Sequence, residues 1–186
     1  MATHDPKKLP ENLPIPSDDG ACKHLEGNDV PLISLQATNG RLLNVFEIAQ
    51  HKAVFYFYPR TGIPGKNPPI GWNEIPGARG CTPQACGYRD NFKKFKTLGI
   101  QIYGISTQTT EYQKEAAQRL ELPFLLLSDE KLKLTRALKL PTFNVDGAIL
   151  IRRLTLIVEK GKVIKVFYPI FPPDKNAQEV LGFVNT

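Results

Sequence analysis

The chain has 186 residues, of which 41% are hydrophobic and 23% are charged, a composition typical of one globular domain. Its 24 basic and 18 acidic residues give a formal charge of +6, but no block of like charge indicates a nucleic-acid-binding protein. Three cysteines are too few for a secreted disulfide scaffold, and no apolar stretch suits a signal peptide or a membrane span. We therefore expect a cytoplasmic, reducing location, where a close cysteine pair is more often catalytic or metal-binding than structural.

The predicted elements alternate between strands and helices. Residues 1–28 are polar and rich in proline, and we expect an arm docked on a domain formed by residues 29–186; a mobile tail is the alternative. Along the chain we predict strands over 31–37, 53–59, 99–107 and 123–129, a short strand and helical turn over 41–50, helices over 81–98, 109–122, 130–140 and 173–186, and a hairpin over 151–169 that turns at Lys160-Gly161. This order predicts an α/β fold around a mixed sheet.

A long loop precedes the first predicted long helix. Residues 60–80, RTGIPGKNPPIGWNEIPGARG, are rich in glycine and proline and have no helical or strand periodicity. Long loops in compact domains are usually functional or mobile. Because this loop ends directly before Cys81, we expect it to border the mouth of any site built around that cysteine.

The sequence GCTPQAC, residues 80–86, places Cys81 and Cys86 at the start of this helix. A helix N-terminus presents unpaired N–H groups and a partial positive charge, which favour a thiolate over a thiol. The thiolate is the form that peroxide oxidises to a sulfenic acid, and Cys86 supplies a thiol that can condense with it. Five residues of intact α-helix separate two Cα atoms by roughly 8.6 Å, whereas a disulfide needs less than about 7 Å. The first helical turn must therefore unwind before the two cysteines can join.

Simpler interpretations of the cysteines remain open at this point. Two cysteines at a helix start can be small buried hydrophobic residues. A metal site is disfavoured, because the chain has no C-x-x-C motif and its histidines are scattered at no ligand spacing. Cys22 lies in the polar arm without a partner in the sequence, and we expect it to be incidental.

The segments VFYFYP and GCTPQACGYRD resemble the Q-type peroxiredoxins, also called the bacterioferritin-comigratory-protein group, and the resemblance covers roughly residues 30–186. It implies a thioredoxin-like fold, with Cys81 as the peroxidatic cysteine and Cys86 as the resolving cysteine. The active-site arginine of the family falls best on Arg153, with Arg152 second. Gly80 and Tyr58 are the residues that we expect to contact the peroxide.

The function implied by this resemblance is a thiol peroxidase that reduces hydrogen peroxide and organic hydroperoxides. A Cys81–Cys86 disulfide would then be recycled by a thioredoxin-like dithiol reductant. We expect no metal, haem or flavin, no nucleic-acid or membrane partner, and a monomer or weak dimer. A thiol-disulfide oxidoreductase or redox sensor with the same cysteines is one alternative. A binding or structural redoxin that has lost peroxidase activity is the other.

Two features depart from the family pattern. Tyr58-Pro59 is separated from Cys81 by the 60–80 loop, whereas the corresponding segments lie close together in the family. The position three before Cys81 is Ala78, where the family has a hydroxyl that polarises the peroxide. Thr61 is a candidate to supply that hydroxyl. Ala78 favours the inactive alternative, and the retained cysteines and arginine count against it.

Overall fold

The computed structural model describes residues 5–185. The strands in this range are β1 (Ser34–Ala37), β2 (Leu42–Asn44), β3 (Ala53–Phe57), β4 (Gln101–Ser106), β5 (Leu125–Ser128), β6 (Thr142–Val145), β7 (Ala148–Ile151), β8 (Leu154–Glu159) and β9 (Lys162–Phe167). The helices are α1 (Val45–Ile48), α2 (Cys81–Asp90), α3 (Phe92–Thr97), α4 (Thr110–Arg119), α5 (Lys133–Ala137) and α6 (Asn176–Val184). Short 3-10 turns cover Trp72–Glu74 and Pro173–Lys175. None of the helices in the described range is long and apolar enough to cross a membrane.

Seven strands form one sheet in the order β2-β1-β5-β4-β3-β8-β9. The central strands β3, β4 and β5 run parallel, while β1 on one side and β8 on the other run antiparallel to them. Strands β6 and β7 pair with each other in a separate hairpin. This arrangement confirms the predicted α/β architecture around a mixed sheet.

The sheet separates two hydrophobic cores, and β3 contributes to both. Successive side chains of a strand point to opposite faces, so Phe55 and Phe57 enter one core and Tyr56 and Tyr58 enter the other. All of these side chains are at most 1% exposed. The core that contains Tyr56 also receives side chains of α2 and α6, while the opposite core receives side chains of α1 and α5. The continuous apolar run in the sequence follows from burial on both faces.

Two predictions about local structure need correction. The helix predicted over 81–98 begins at Cys81 as expected, but it is divided into α2 and α3 at Asn91. The side-chain amide of Asn91 donates to the Gly87 carbonyl at 2.9 Å, in competition with the backbone ladder. The β6–β7 hairpin was not predicted, although its Asp146-Gly147 turn has positive φ angles of 49° and 77°, as an Asp-Gly hairpin turn requires. The other hairpin is confirmed, since β8 and β9 are joined at Lys160-Gly161.

The described part of the arm, residues 5–28, lies against the domain. The Gly27 N–H donates to the Val163 carbonyl at 2.8 Å, and Leu25 is fully buried. Cys22 is only 4% exposed and belongs to the core that contains Phe55. Cys22 therefore occupies a core position that the polar residues around it do not reveal in the sequence, and its lack of a role in the chemistry stays a prediction. The boundary at residue 28 stays a prediction.

Candidate active site

The register of the sheet brings two distant segments to one edge. Phe57, the last residue of β3, pairs with Leu154, the first residue of β8. Arg60 follows β3 by a few residues and Arg153 directly precedes β8, so both lie at the edge where the parallel strands end. The carboxyl ends of parallel strands are the usual place for a ligand site in an α/β fold. The N-terminus of α2 meets this same edge.

Cys81 is the first residue of α2 and is 3% exposed. Its Sγ accepts a hydrogen bond from the Arg60 backbone N–H at 3.4 Å and another from Arg153 Nη2 at 3.3 Å. The Ala78 carbonyl lies 3.7 Å from Sγ, a distance at which a protonated thiol can donate to it. Two donors directed at the sulfur, one of them cationic, can stabilise negative charge that develops on it.

Gly80 fixes the start of α2. Its φ of 106° and ψ of 19° lie in the left-handed region, which disfavours a side chain. A Cβ at this position would lie 2.3 Å from Pro173 Cγ and 3.0 Å from Leu9 Cδ2. Glycine is therefore needed both for the backbone turn before Cys81 and for the close approach of the Pro173 ring.

Gly80→Ala is expected to lower the free energy of unfolding by about 2 kcal/mol or more, since it adds overpacking to backbone strain. Gly99→Ala is the matched control, because Gly99 also has a positive φ, 70°, but has open space around its missing Cβ. We expect the Gly99 variant to lose about 1 kcal/mol or less. Urea unfolding followed by circular dichroism measures both, and equal losses would contradict the role given to the Pro173 contact.

Arg153 is 3% exposed, and its guanidinium is held by a shell of oxygen acceptors. Nη2 lies 3.2 Å from each of the carbonyl oxygens of Gly77, Ala78 and Arg79, and Nη1 donates to Gln84 Oε1. The end of the 60–80 loop thus positions Arg153 against the Cys81 sulfur. The structure places Arg153, rather than Arg152, beside the cysteine.

A buried network, absent from the sequence predictions, supports this arginine. Asn176 Oδ1 accepts hydrogen bonds from Gln84 Nε2 at 3.0 Å, Tyr88 OH at 2.7 Å and Thr155 Oγ1 at 2.9 Å. All four side chains are fully buried. The network fixes the amide of Gln84, whose oxygen holds Arg153, and therefore ties the orientation of the arginine to α2 and α6.

A cavity of about 100 Å³ opens beside Cys81, and we call it the Cys81 cavity. Its lining residues come from the arm, the 60–80 loop, α2 and α4: Pro6, Arg60, Thr61, Gly62, Ile63, Lys66, Asn67, Pro68, Pro69, Trp72, Arg79, Gly80, Cys81, Thr82 and Tyr112. Trp72 is 5% exposed and packs against Ala78 and the Phe143 ring of the β6–β7 hairpin. This packing fixes one wall of the cavity.

Two further predicted residues lie at different depths. Thr61 lines the cavity and is 2% exposed, and its backbone N–H donates to Gln108 Oε1 at 3.1 Å. Tyr58 is not one of the residues that line the cavity; its ring lies in the core that contains Cys81, and its hydroxyl accepts from Gln113 Nε2 at 3.3 Å. Burial raises the pKa of Tyr58, so this phenol stays protonated. Peroxide contact by Tyr58 and peroxide polarisation by Thr61 stay predictions.

Known proteins share both this sequence pattern and this fold. The redoxin family pattern matches residues 25–181. The chloroplastic peroxiredoxin Q of Gentiana triflora is 30% identical over 182 residues, which cover 95% of this chain and 76% of the relative. That of Sedum lineare is 30% identical over 175 residues, which cover 94% of this chain and 86% of the relative. The chain belongs to the peroxiredoxin Q family.

Solved structures agree with this membership at the level of the fold. The Mycobacterium tuberculosis peroxidoxin BcpB has a TM-score of 0.69 at 23% identity, covering 87% of this chain and 97% of the other. Peroxiredoxin Q of Xanthomonas campestris has a TM-score of 0.67 at 22% identity, covering 87% of this chain and 96% of the other. The fold of this peroxiredoxin is the thioredoxin-like α/β fold expected from the sequence. As a peroxiredoxin it is a thiol-dependent peroxidase.

The second cysteine of the pair lies further along α2. Cys86 is half-buried and, like Cys81, is a free thiol, with α2 intact between them. Burial raises the pKa of Cys86, and the nearby Arg89 guanidinium offsets only part of that effect. Cys86 is therefore a neutral thiol near neutral pH while α2 is folded, and a neutral thiol is a poor nucleophile.

We predict that alkylation of Cys86 by iodoacetamide has a pH midpoint above that of an unstructured cysteine. A raised pKa means that the reactive thiolate forms only at higher pH. A Cys22→Ser/Cys81→Ser variant leaves Cys86 as its only thiol. The same variant unfolded in urea is the control, and its midpoint should be lower. Identical midpoints in the folded and unfolded protein would contradict this prediction.

The third thiol lies on the other side of the sheet. Cys22 packs in the core that contains Phe55, whereas Cys81 packs in the core that contains Tyr56. Burial, with smaller effects of the Asp19 and Asp18 carboxylates, raises the pKa of Cys22 to about 12.

Over residues 5–185, no group of three or more His, Cys, Asp or Glu side chains could hold a metal ion.

Proposed function

We propose that Cys81 is the peroxidatic cysteine and that Cys86 resolves it. The observation that carries this proposal is the setting of the Cys81 sulfur, which meets the Arg60 backbone N–H at 3.4 Å and Arg153 Nη2 at 3.3 Å beside a cavity. These donors stabilise a thiolate before reaction. They also remain in place to stabilise negative charge as the peroxide bond breaks, which is how preorganised donors lower a reaction barrier.

In the first step the Cys81 thiolate attacks the terminal oxygen of a hydroperoxide. The S–O bond forms as the O–O bond breaks, so sulfur loses two electrons and the peroxide gains them. The product is Cys81 sulfenic acid, and the departing alkoxide or hydroxide takes up a proton to become an alcohol or water. Arg153 offsets the charge on the departing oxygen. Thr61, at the cavity wall, is the hydroxyl proposed to polarise the peroxide in place of the one missing at Ala78.

In the second step the Cys86 thiol condenses with the sulfenic acid. A Cys81–Cys86 disulfide forms and one water leaves. A thioredoxin-like dithiol then reduces the disulfide by exchange, becoming oxidised itself and returning both cysteines to thiols. The raised pKa of Cys86 in folded α2 supports separate roles for the two cysteines, because the neutral Cys86 thiol does not compete with Cys81 for peroxide.

We place this reaction in the cytoplasm and in a monomer or weak dimer, with a peroxide and a dithiol protein as its partners. The low cysteine content supports a reducing compartment. The plant relatives are named as chloroplastic proteins, so targeting of this chain in its own cell, followed with a tagged protein, tests the location. Sedimentation of the reduced and oxidised protein tests the assembly state.

The experiment for the proposal is peroxide consumption with thioredoxin, thioredoxin reductase and NADPH. The wild type should turn over, Cys81→Ser should show no activity above background, and Cys22→Ser should keep wild-type activity. Cys86→Ser should consume about one equivalent of peroxide per chain and then stop. Steady turnover by Cys81→Ser would refute the assignment of Cys81. Dithiol exchange without peroxide consumption would instead favour a thiol-disulfide oxidoreductase.

A further inference from the structure

Within residues 5–185, three cationic side chains and no acidic side chain line the Cys81 cavity. The cations are Arg60, Lys66 and Arg79. A thiolate at Cys81 adds one negative charge, and Arg153 behind it offsets that charge. The cavity therefore carries a net positive charge on the side from which a substrate approaches. Hydrogen peroxide and simple alkyl hydroperoxides are neutral, so their binding does not use this charge.

The three cations differ in the contacts that their charged groups already make within the protein. Arg79 Nη2 donates to the carbonyl oxygens of Asp5 and Lys8, both at 3.1 Å, and the charges of Cys81 and Asp5 also act on it. Its guanidinium therefore already binds the arm. Arg60 lies over the Tyr112 ring, with its Cζ 5.7 Å from the ring centroid, and its Nε donates to the Tyr112 hydroxyl at 3.5 Å.

The tyrosine contact fixes Arg60 without neutralising it, since no carboxylate within residues 5–185 forms an ion pair with Arg60. Lys66 is exposed, and over the same range it also has no acidic partner. Cations without a protein counter-ion in a partly enclosed cavity attract anionic ligands and concentrate them near the reacting group.

The rest of the lining limits the shape of the ligand. Ile63, Pro68, Pro69 and Trp72 supply apolar surface, and the volume is about 100 Å³. An engineered apolar cavity of about 150 Å³ accommodates one benzene molecule. The site therefore fits a short, partly apolar molecule. A ligand that joins a hydroperoxide group near Cys81 to an anionic group near Lys66 through a few carbon atoms satisfies both the charge and the size.

We propose that the Cys81 cavity selects short hydroperoxides that carry a carboxylate, and that Lys66 of the 60–80 loop is the residue that determines this selection. The inference rests on the proposed peroxidase function of Cys81 and adds its substrate class. A carboxylate would pair with the Lys66 ammonium and lie within reach of the Arg60 charge. The hydroperoxide end would meet the Cys81 sulfur, and the apolar residues would cover the carbon atoms between the two ends.

The test uses two probes that differ in charge and match in shape, 3-hydroperoxypropanoate and its amide. Stopped-flow mixing with reduced protein gives the second-order rate constant of Cys81 oxidation for each, and the preference is the ratio of acid to amide. We expect a preference of at least fivefold in 10 mM salt. It should fall toward one in 0.5 M salt, because the screening length falls from about 30 Å to a few ångströms.

Lys66→Gln should lower this preference at least threefold, and Lys66→Glu should lower it further, because each variant slows oxidation by the acid more than oxidation by the amide. Lys133→Gln is the matched control, since Lys133 is an exposed lysine at the start of α5 that does not line the cavity. It removes the same net charge from the chain. The preference of this control variant should equal that of the wild type.

The outcomes separate this inference from the function on which it rests. Equal rates for acid and amide in the wild type at low salt overturn the substrate class. A preference unaffected by Lys66→Gln, or lowered equally by Lys133→Gln, overturns the assignment to Lys66. In each of these cases fast oxidation by hydrogen peroxide leaves the peroxidase assignment intact. If hydrogen peroxide also fails to oxidise Cys81, the proposed function itself fails.

Discussion

Arg153→Met is expected to slow the oxidation of Cys81 by hydrogen peroxide at least tenfold. Arg153 Nη2 lies 3.3 Å from the sulfur and the residue is 3% exposed, so its charge acts on the thiolate with little screening by water. Methionine fills a similar apolar volume but offers neither charge nor donors. A tenfold effect corresponds to about 1.4 kcal/mol of barrier, a modest value for a buried charge-assisted hydrogen bond.

The measurement is the second-order rate constant with peroxide, followed by tryptophan fluorescence. Trp72 is the only tryptophan of the chain and lines the same cavity as Cys81, so its emission should report the oxidation. Arg152→Met is the control, because it removes the neighbouring arginine, which does not line this cavity. This control should react at the wild-type rate.

A second variant and an unfolding measurement separate an effect on the reaction from a loss of the fold. Arg153 also holds the Gly77, Ala78 and Arg79 carbonyls, which methionine leaves without their donor. Arg153→Lys keeps a cation but cannot reproduce the forked geometry of the guanidinium, so we expect an intermediate rate. Thermal unfolding shows whether each variant is folded. A wild-type rate in folded Arg153→Met would remove the arginine from the mechanism, and a loss in Arg152→Met instead would reassign the role.

The start of α2 could be predicted from the sequence because its signals are local. The glycine-rich loop, the cysteine and Pro83 within the first turn lie side by side in the chain, and α2 does begin at Cys81. Strand β3 could be predicted for the same reason, as a continuous apolar run closed by Pro59. The choice of Arg153 came from the family resemblance, and the pairing of Phe57 with Leu154 explains physically why that residue meets Cys81.

The support of the site could not be predicted from the sequence, because its partners are far apart in the chain. Asn176 lies 92 residues from Gln84, and an asparagine at a helix start is typical of a simple cap. The Arg60 contribution is a backbone N–H, which any residue other than proline would supply, so no residue type marks it. The β6–β7 hairpin is a different case, since its Asp146-Gly147 turn is a local signal that the sequence carries.

Oxidation of the protein by one equivalent of peroxide should unfold the first turns of α2. Cys81 and Cys86 are separated by five residues of intact helix, which is too far for a disulfide. Gln84 lies between them, is fully buried, and is bonded to both Arg153 and Asn176. The bond between the two sulfurs therefore requires that Gln84 leave these partners, so the oxidised form gives up buried hydrogen bonds of the reduced form.

The arm must respond to the same change. Arg79 Nη2 binds the carbonyls of Asp5 and Lys8, and Pro6 lines the Cys81 cavity. Leu9 lies against Gly80, where an added Cβ would be 3.0 Å from its Cδ2. Unwinding at residues 80–84 removes the surface on which residues 5–9 rest. Amide hydrogen exchange should therefore speed up in both segments after oxidation, and it should slow again with dithiothreitol.

Cys86→Ser separates the effect of the disulfide from that of sulfenic acid. In this variant one equivalent of peroxide still oxidises Cys81, but no neighbouring thiol can condense with it, so the sulfenic acid persists, over-oxidises or pairs with another chain. Exchange in residues 81–88 and 5–9 should then stay as slow as in the reduced protein. Faster exchange in oxidised Cys86→Ser would mean that sulfenic acid formation alone opens α2.

Peptide mapping of the oxidised wild type decides which thiol resolves Cys81, and we expect a Cys81–Cys86 link. Cys22 is an unsuitable partner because it is 4% exposed and packs in the core on the other side of the sheet from Cys81. A bond to it would require the central strands to separate, whereas a bond to Cys86 requires only the first turns of one helix to unwind. A Cys81–Cys22 link with Cys86 still free would overturn the resolving assignment, and it would make the arm, rather than α2, the segment that moves during the reaction.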